Sequence, residues 1–499
     1  MPGLSGAEAV DSHLHAVRAG NSYRMRFGLP GSVLGVLLVA ASMVQAANWP
    51  QFRGPNAQGI SASAGRLPAE IGPETNVIWK TALPPGHSSP AVDGDRIFLT
   101  AEKDKKLLTL GLDRVTGQIL WEQAAPYEKL EEIHSIGSHC QSSPATDGER
   151  VVSFFGSSGL FCYDRDGKLL WKRAFGPFKN TFGAGSSPII VDDLVILCQD
   201  HDTDSFLMAL NKKTGETVWK VDRSEFTRNY CTPVIVTVEG KKQIVLAATL
   251  RVVGYDLQTG AEIWTVRGIS RFVSATPCVA PDGTVYVAAW AAGGDEGDRL
   301  SVEPFDGLIA AKDANKNGGF EESELPDGPI KMRFAQVDRD KNLIISREEY
   351  EYFRKLFELG RNVLLAIKPG GKGDVTQTHV RWEYRKFVPF CTSPVWYDGL
   401  LFTVKDGGIA SCFDGATGKS HKQGRLEATG DYYSSPVAGD GKVYLLNEDG
   451  KLTVLSAEAQ WQQLATADFK ESAYATPALI DSKIYLRTSG HLYCFGSSQ

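Results

Sequence analysis

From residue 76 onward, apolar positions fall in short runs, many of them alternating with polar residues and each bounded by glycine, asparagine or aspartate. Arg96-Ile97-Phe98-Leu99 and Lys442-Val443-Tyr444-Leu445 are representative. Alternation with period two puts every second side chain on one face of an extended strand, and turn residues at both ends keep the strands short. One region departs from this. Helical patterning covers Phe305 to Ala311, Ile330 to Val337 and Glu348 to Leu359. The pattern predicts many short strands with a single helical interruption.

The strands repeat as units. A hydroxyl residue followed by proline recurs eight times, with Ser89, Ser143, Ser187, Thr232, Thr276, Ser393, Ser435 and Thr476 before the prolines. Successive prolines are 54, 44, 45, 44, 117, 42 and 41 residues apart, so the odd interval is one ordinary unit plus an insertion of about 75 residues. Units also carry a turn and a tryptophan: Leu112–Trp121 reads LDRVTGQILW, Leu210–Trp219 LNKKTGETVW and Tyr255–Trp264 YDLQTGAEIW. The Thr-Gly suits a hairpin needing positive φ, and a tryptophan at a fixed position reads as packing between units. Four strands per unit, eight times over, predict an all-β fold, an eight-bladed β-propeller with a small α-helical insertion in blade five. The last unit lacks its tryptophan strand, and Asn76-Val77-Ile78-Trp79 stands alone before the first unit. That strand, 76–79, should complete the last blade and remove two free edges.

These motifs resemble the pyrroloquinoline-quinone (PQQ)-type repeat proteins, whose units carry a similar tryptophan-docking turn. Asn48-Trp49-Pro50-Gln51-Phe52-Arg53-Gly54-Pro55 resembles the entry motif of exported members. The resemblance spans the chain apart from the insertion, and it implies the fold more strongly than the cofactor. The family holds both quinone-dependent dehydrogenases and non-catalytic scaffolds. Departures are Lys422, where the sixth tryptophan should stand, and an expanded turn at residues 368–378 in blade five.

The insertion, residues 291–361, separates propeller segments 47–290 and 362–499 and is predicted to be an EF-hand pair. Asp313–Glu324 reads DANKNGGFEESE, matching the full calcium-loop pattern. Calcium takes six to eight hard oxygens. Asp313, Asn315 and Asn317 would give side-chain oxygens, Gly319 its carbonyl, Glu321 a direct or water-mediated contact and Glu324 both oxygens. The second loop, Asp338–Glu349, reads DRDKNLIISREE, with Asp338, Asp340, Asn342, the Ile344 carbonyl, Ser346 and Glu349 in ligand positions. Its departure is Leu343 in place of glycine, where positive φ costs on the order of 1–2 kcal/mol. Phe320 and Ile345 are placed to pair the two loops. A solvated acidic loop is the competing reading for either one.

Residues just before each Ser/Thr-Pro should line one mouth of the central channel. His87, Tyr230 and Tyr433 stand three before a proline, His139 and Arg228 five before, and these five form the expected cofactor- or ligand-binding site. The insertion should overhang the same mouth, as should Asp200-His201-Asp202-Thr203-Asp204, read as a polar bracket or a weak metal site. The eight hydroxyls are read as structural, bonding to backbone within each blade. No catalytic residue is assigned.

The 499 residues carry a net charge of −6, which leaves no basic footprint for nucleic acid. Eight cysteines are too few for a disulfide scaffold. Residues 1–46 read as a secretory signal: Arg24 and Arg26, the apolar run Phe27–Val44 and then Val44-Gln45-Ala46. Met25 offers an alternative start, and no segment of the mature chain is apolar enough to span a bilayer. A periplasmic or secreted location follows. The leading expectation is a calcium-binding scaffold for a protein, small-molecule or carbohydrate ligand, with a dehydrogenase of alcohols or sugars as the alternative. PQQ is possible as a cofactor but not favoured, because many dehydrogenases of the family hold two adjacent cysteines over the quinone and this sequence has none adjacent. A calcium-gated adhesion or carbohydrate-binding module is a third class.

Overall fold

The computed structural model describes residues 48–61, 65–202 and 204–497; the expected signal segment lies outside them. Eight antiparallel sheets follow one another along the chain, seven with their four main strands in sequential order and the last completed by the first strand of the chain, and one carries a fifth short strand. Blade one comprises Ala91–Asp93, Arg96–Lys103, Lys106–Asp113 and Ile119–Ala125. The first strands of neighbouring blades touch one another around the axis. Middle strands pack between two blades and are buried on both faces, as Leu194–Gln199 is along its whole length. Outer strands alternate, as Thr217–Asp222 does, because one face meets solvent.

The ring closes as the sequence indicates. Val77–Ala82 pairs antiparallel with His491–Gly496 and becomes the outer strand of blade eight. Two otherwise open edges are consumed by this single pairing, so the ends of the ring are tied through a ladder as well as by packing.

Tryptophans link five of the eight blades to the next, whereas Trp264 of blade four donates within its own blade, to Gln243 Oε1 at 2.8 Å. Trp79 Nε1 donates to the Arg114 carbonyl (3.2 Å), Trp121 to Arg165 (3.0 Å), Trp171 to Lys212 (2.9 Å), Trp219 to Leu257 (3.2 Å) and Trp382 to Gly415 (2.9 Å). Each indole lies flat on the turn glycine of the following blade. A Cβ on Gly117 would stand 2.5 Å from Trp79, and one on Gly418 2.5 Å from Trp382. Both glycines also sit at φ +72 to +75°, so two constraints exclude a side chain there. Lys422, which replaces the sixth tryptophan, places its ammonium 4.1 Å from the Trp461 ring and donates to the Trp461 carbonyl. The expanded turn of blade five supplies the fifth strand of blade four, Gly373–Asp374, pairing parallel with Trp264 and Thr265.

The eight hydroxyls do not bond within their own blades. Each accepts from the backbone N–H of the equivalent residue one blade back: Ser89 to Ser143 (2.9 Å), Ser143 to Ser187 (3.0 Å), Ser187 to Thr232 (3.0 Å), and so on to Thr476, whose N–H returns to Ser89 (2.9 Å). The circuit crosses the insertion without a break, Thr276 N–H donating to Ser393 at 2.9 Å. The physical reason is that the innermost strand has a ladder partner on one side only. Its inward N–H must find an acceptor across the blade boundary.

Residues 48–61 cross the axis. Trp49 pairs with Val92, the Pro50 carbonyl accepts from Thr146 N–H (2.8 Å), Asn56 exchanges bonds with Ile235 (2.8 and 2.7 Å), and Ile60 pairs with Ala438. This one segment therefore touches blades one, two, four and seven. Arg53, fully buried, donates to the Pro394 carbonyl at 2.7 Å, and burial lowers its pKa to about 10. Gly59 makes room for it, since a Cβ there would lie 2.7 Å from Arg53 Nη2, while Gly54 lies against the Trp49 ring.

The insertion sits between Val285–Ala289 and Val363–Ile367 of blade five. It has its own apolar core, built from Phe305, Phe320, Phe334, Ile345, Tyr350 and Phe353 among others. Three helices surround it: α1 (Phe305–Lys312), α2 (Phe334–Val337) and α3 (Arg347–Leu359). Ser346 caps α3 by accepting from Glu349 N–H while Glu349 returns the bond, a reciprocal cap.

Ser435→Ala leaves the buried Ser393 N–H without an acceptor and is expected to cost about 1–3 kcal/mol in chemical denaturation. Ser435→Thr should be nearly neutral, since threonine already fills three of the eight positions.

Candidate functional site

At one end of the axis the blades enclose a cavity of about 170 Å3. All eight residues three before the prolines line it, with His87, Tyr230 and Tyr433 among them. These positions converge because the hydroxyl circuit fixes the residue three places along in every blade. His87 stacks on Tyr474, ring centroids 3.9 Å apart and planes 17° from parallel, and Tyr433 lies 5.5 Å from Tyr474. Across the cavity Tyr230 meets Phe182 at 6.0 Å and Phe272 at 5.6 Å, and Phe272 stacks on Phe390. Phe52 of the axial segment lines the closed end. The site is an aromatic cup.

Among the described residues its wall carries no aspartate, glutamate, lysine or arginine. Burial, with Arg487 nearby as the lesser cause, lowers the His87 pKa to about 4, so the imidazole is neutral at pH 7. Burial raises the Tyr230 phenol far above its ordinary value, and its hydroxyl donates to Asn180 Oδ1 at 3.2 Å. The Cys391 thiol is pushed up to about 12, chiefly by burial. The remaining polar groups are hydroxyls and the Gln141 amide, which donates to the Phe182 carbonyl at 2.7 Å. Groups of this kind bind flat or neutral ligands by area and a few directed bonds.

Two of the expected site residues stand elsewhere. His139 is drawn away from the cup, its Nε2 2.9 Å from the Glu131 carbonyl. Arg228 turns outward, with Nε 2.7 Å from Asp202 Oδ1 and a bond to Thr181. Both lie five before a proline, two places further from the axis than the cup residues. Phe182, Phe272 and Phe390 were not singled out in the sequence, although all three fall in the loops that enter the first strands.

Asp200, His201 and Asp202 form a buried bracket. Asp200 takes Arg223 bidentately, at 2.8 and 2.7 Å, with both side chains buried. Asp202 is occupied by Arg228 and by Thr181 Oγ1 at 2.8 Å. His201 packs 3.8 Å from Phe178, and burial lowers its pKa to about 3. Asp200 and Asp202 are thus committed to arginine, whereas the buried His201 Nε2 has no hydrogen-bond partner among the described residues. Asp204 reaches the insertion, 2.8 Å from Lys341 Nζ.

In the insertion the two loops are joined by an antiparallel bridge between Phe320 and Ile345. The first loop bonds to itself: Asp313 accepts from Asn317 N–H (3.2 Å) and Gly318 N–H (3.0 Å), Asn315 donates to Glu321 (2.9 Å), and Glu324 accepts from Ala314 and Glu321 N–H (2.9 and 3.0 Å). Asn317 accepts from Gly319 N–H at 3.0 Å. In the second loop Asp338, Asp340 and Glu349 bring one oxygen each within 4.8 Å of one another, the one such three-carboxylate group among the described residues. Asn342 accepts from Ile344 N–H (2.7 Å), and Ser346 donates to Glu349 (2.8 Å). Leu343 has φ +67°, the conformation that glycine would adopt without strain.

The sequence profile of a family described as outer membrane protein assembly factor BamB matches residues 60–173, 111–294 and 371–499. The crystal structure of BamB from Moraxella catarrhalis is similar at 14% identity, covering 84% of this chain and 99% of that one, with a TM-score of 0.53. Quinohemoprotein alcohol dehydrogenase from Comamonas testosteroni is similar at 13% identity over 92% of this chain and 82% of that one, also with a TM-score of 0.53. A computationally designed protein, Ika8, aligns at 12% identity over 83% of this chain and 98% of its own, with a TM-score of 0.52. Likeness at these identities shows the fold. No curated protein matches the chain.

His87 has a folded pKa below its unfolded value, so between about pH 6.5 and 4 the unfolded chain binds more protons and stability falls as pH falls. His87→Phe keeps the stack on Tyr474 without a titrating group. It is expected to flatten that part of the stability–pH curve; an unchanged slope would place the proton uptake elsewhere.

Proposed function

The chain belongs to the family of the outer membrane protein assembly factor BamB, and on that premise we propose that this PQQ-like repeat propeller is an exported, calcium-binding scaffold whose cup binds a neutral ligand or an apolar segment of a partner protein. The observation that carries the proposal is the uncharged aromatic wall. A binding cup needs buried area and a few hydrogen bonds, and this one supplies both. Dehydrogenation of an alcohol by a bound quinone needs a base for the hydroxyl proton and a cation to polarise the quinone carbonyl. Among the described residues no carboxylate or cationic side chain lines the cup to provide either.

The same wall bears on the cofactor. PQQ is a tricarboxylate, and burying its charges without a cation costs several kcal/mol per ion. The residues present do not fit that group. The dehydrogenase alternative would require charged groups that this cup does not have.

Calcium belongs to the insertion in this reading. The Asp338, Asp340 and Glu349 oxygens support an ion in the second loop, with Asn342, the Ile344 carbonyl and Ser346 around it. Asp313, Asn315, Asn317, Gly319, Glu321 and Glu324 would hold one in the first. Few carboxylates per loop suit the millimolar calcium outside cells, so the ion is structural in this account. Export rests on the arginine-led apolar run before residue 47, and among the described residues no helix is long and apolar enough to cross a membrane.

Calorimetric titration with PQQ in excess calcium is expected to give no saturable heat; tight stoichiometric binding would overturn the scaffold reading. Calcium alone should raise the melting temperature, by linkage worth about 2.7 kcal/mol at a hundredfold excess over Kd. Asp338→Asn with Glu349→Gln should remove most of that rise, and its persistence would count against the second loop as a site.

A further inference from the structure

We propose that Arg228, Arg271 and Arg333 form an oxyanion-binding site at the seam between the insertion and the propeller, beside the aromatic cup, with Phe272 lining both. The three side chains line one small cleft, closed by Gln336, Phe353 and Phe357. Arg228 and Arg271 come from the connections that lead into blades four and five, and Arg333 from the short turn Lys331–Arg333 just before α2. All three are partly buried.

Charge is unbalanced there. Arg228 has Asp202 at 2.7 Å. Arg271 lies 4.3 Å from the Phe357 ring and donates to the Ala292 carbonyl at 2.8 Å, and Arg333 donates to the Pro329 carbonyl at 3.2 Å. Among the described residues neither has a carboxylate within ion-pair distance, whereas 12 of the 22 described arginines do. Three cations and one anion leave the cleft with an excess of two positive charges. Burial and mutual repulsion work together: Arg271 is lowered to about 10, first by desolvation, then by Arg333 and Arg228. An arrangement that costs free energy when empty is relieved by an anion, and guanidinium forks match the paired oxygens of carboxylate, sulfate or phosphate.

Size limits what enters. The cleft holds about 20 Å3, enough for one water-sized group, so an oxyanion would insert an edge and leave the rest towards solvent. The ligand class is thus a small oxyanion or an exposed oxyanion group on a larger ligand. Its third donor comes from the insertion, which gives the insertion a role beyond its own folding. This site stands whether or not the cup binds a ligand.

Thermal unfolding in low-millimolar sulfate, phosphate or acetate, against chloride at matched ionic strength, tests the assignment. A saturable rise in melting temperature is expected with at least one oxyanion, and comparison of the tetrahedral ions with planar acetate sorts the preferred geometry. Sulfate and phosphate stabilise proteins generally by exclusion from the surface, so the decisive readout is the saturable part in variants. Arg333→Gln should weaken it about tenfold and Arg333→Lys less, with Arg271→Gln as an independent second variant. If Arg333→Gln fails to fold, the comparison rests on Arg271→Gln and on calorimetry of the unaltered protein. No saturable rise in the unaltered protein, or an undiminished rise in the glutamine variants, would overturn the proposal.

Discussion

At the start of each innermost strand, a backbone N–H faces the axis side with no ladder partner, and burying it unpaired would cost about 1–3 kcal/mol. The hydroxyl of the following blade accepts it, eight times, until the circuit returns to Ser89. This constraint explains why only serine or threonine stands before the eight prolines. It also sets each blade's angle to its neighbour, because a donor and acceptor about 3 Å apart leave little freedom in register. The outer tryptophans then fix the rim of the ring as the hydroxyls fix its centre.

From that geometry the cup follows. Residues three places before the prolines are held at one height around the axis, and in this chain most are aromatic, small or neutral. The axial segment completes the enclosure: Arg53 anchors on strand-start carbonyls, and Phe52, its neighbour, lines the closed end. The charged groups are placed outside the cup. Asp202 and Arg228 neutralise each other, and Arg271 and Arg333 gather at the seam with the insertion. A scaffold that recognises by shape and area needs this separation, whereas acid–base chemistry would need the opposite.

Much of the fold was legible because it repeats. The Ser/Thr-Pro steps gave the blade count, and the missing final strand pointed to residues 76–79 as the closing one, which the structure extends to Val77–Ala82. The interval of 117 residues located the insertion between two strands of blade five. What escaped depends on which way a side chain turns. Position five before proline looked equivalent to position three, yet His139 and Arg228 point away from the axis. Phe52 was visible within a motif but its place at the closed end was not, since it depends on a segment crossing between blades. The hydroxyls were assigned a bonding role correctly and the wrong partner, because spacing along the chain does not reveal contacts across blade boundaries. Arg223 could not have been paired with Asp200 by spacing either.

The account's central claim is that the cup binds and does not turn over. A steady-state assay of dye reduction, with PQQ, calcium and a panel of primary alcohols and aldoses, addresses it directly. The account predicts a rate equal to that of the mixture without protein. Saturable turnover that depends on the protein would contradict it, and would require charged groups to reach a wall that has none here.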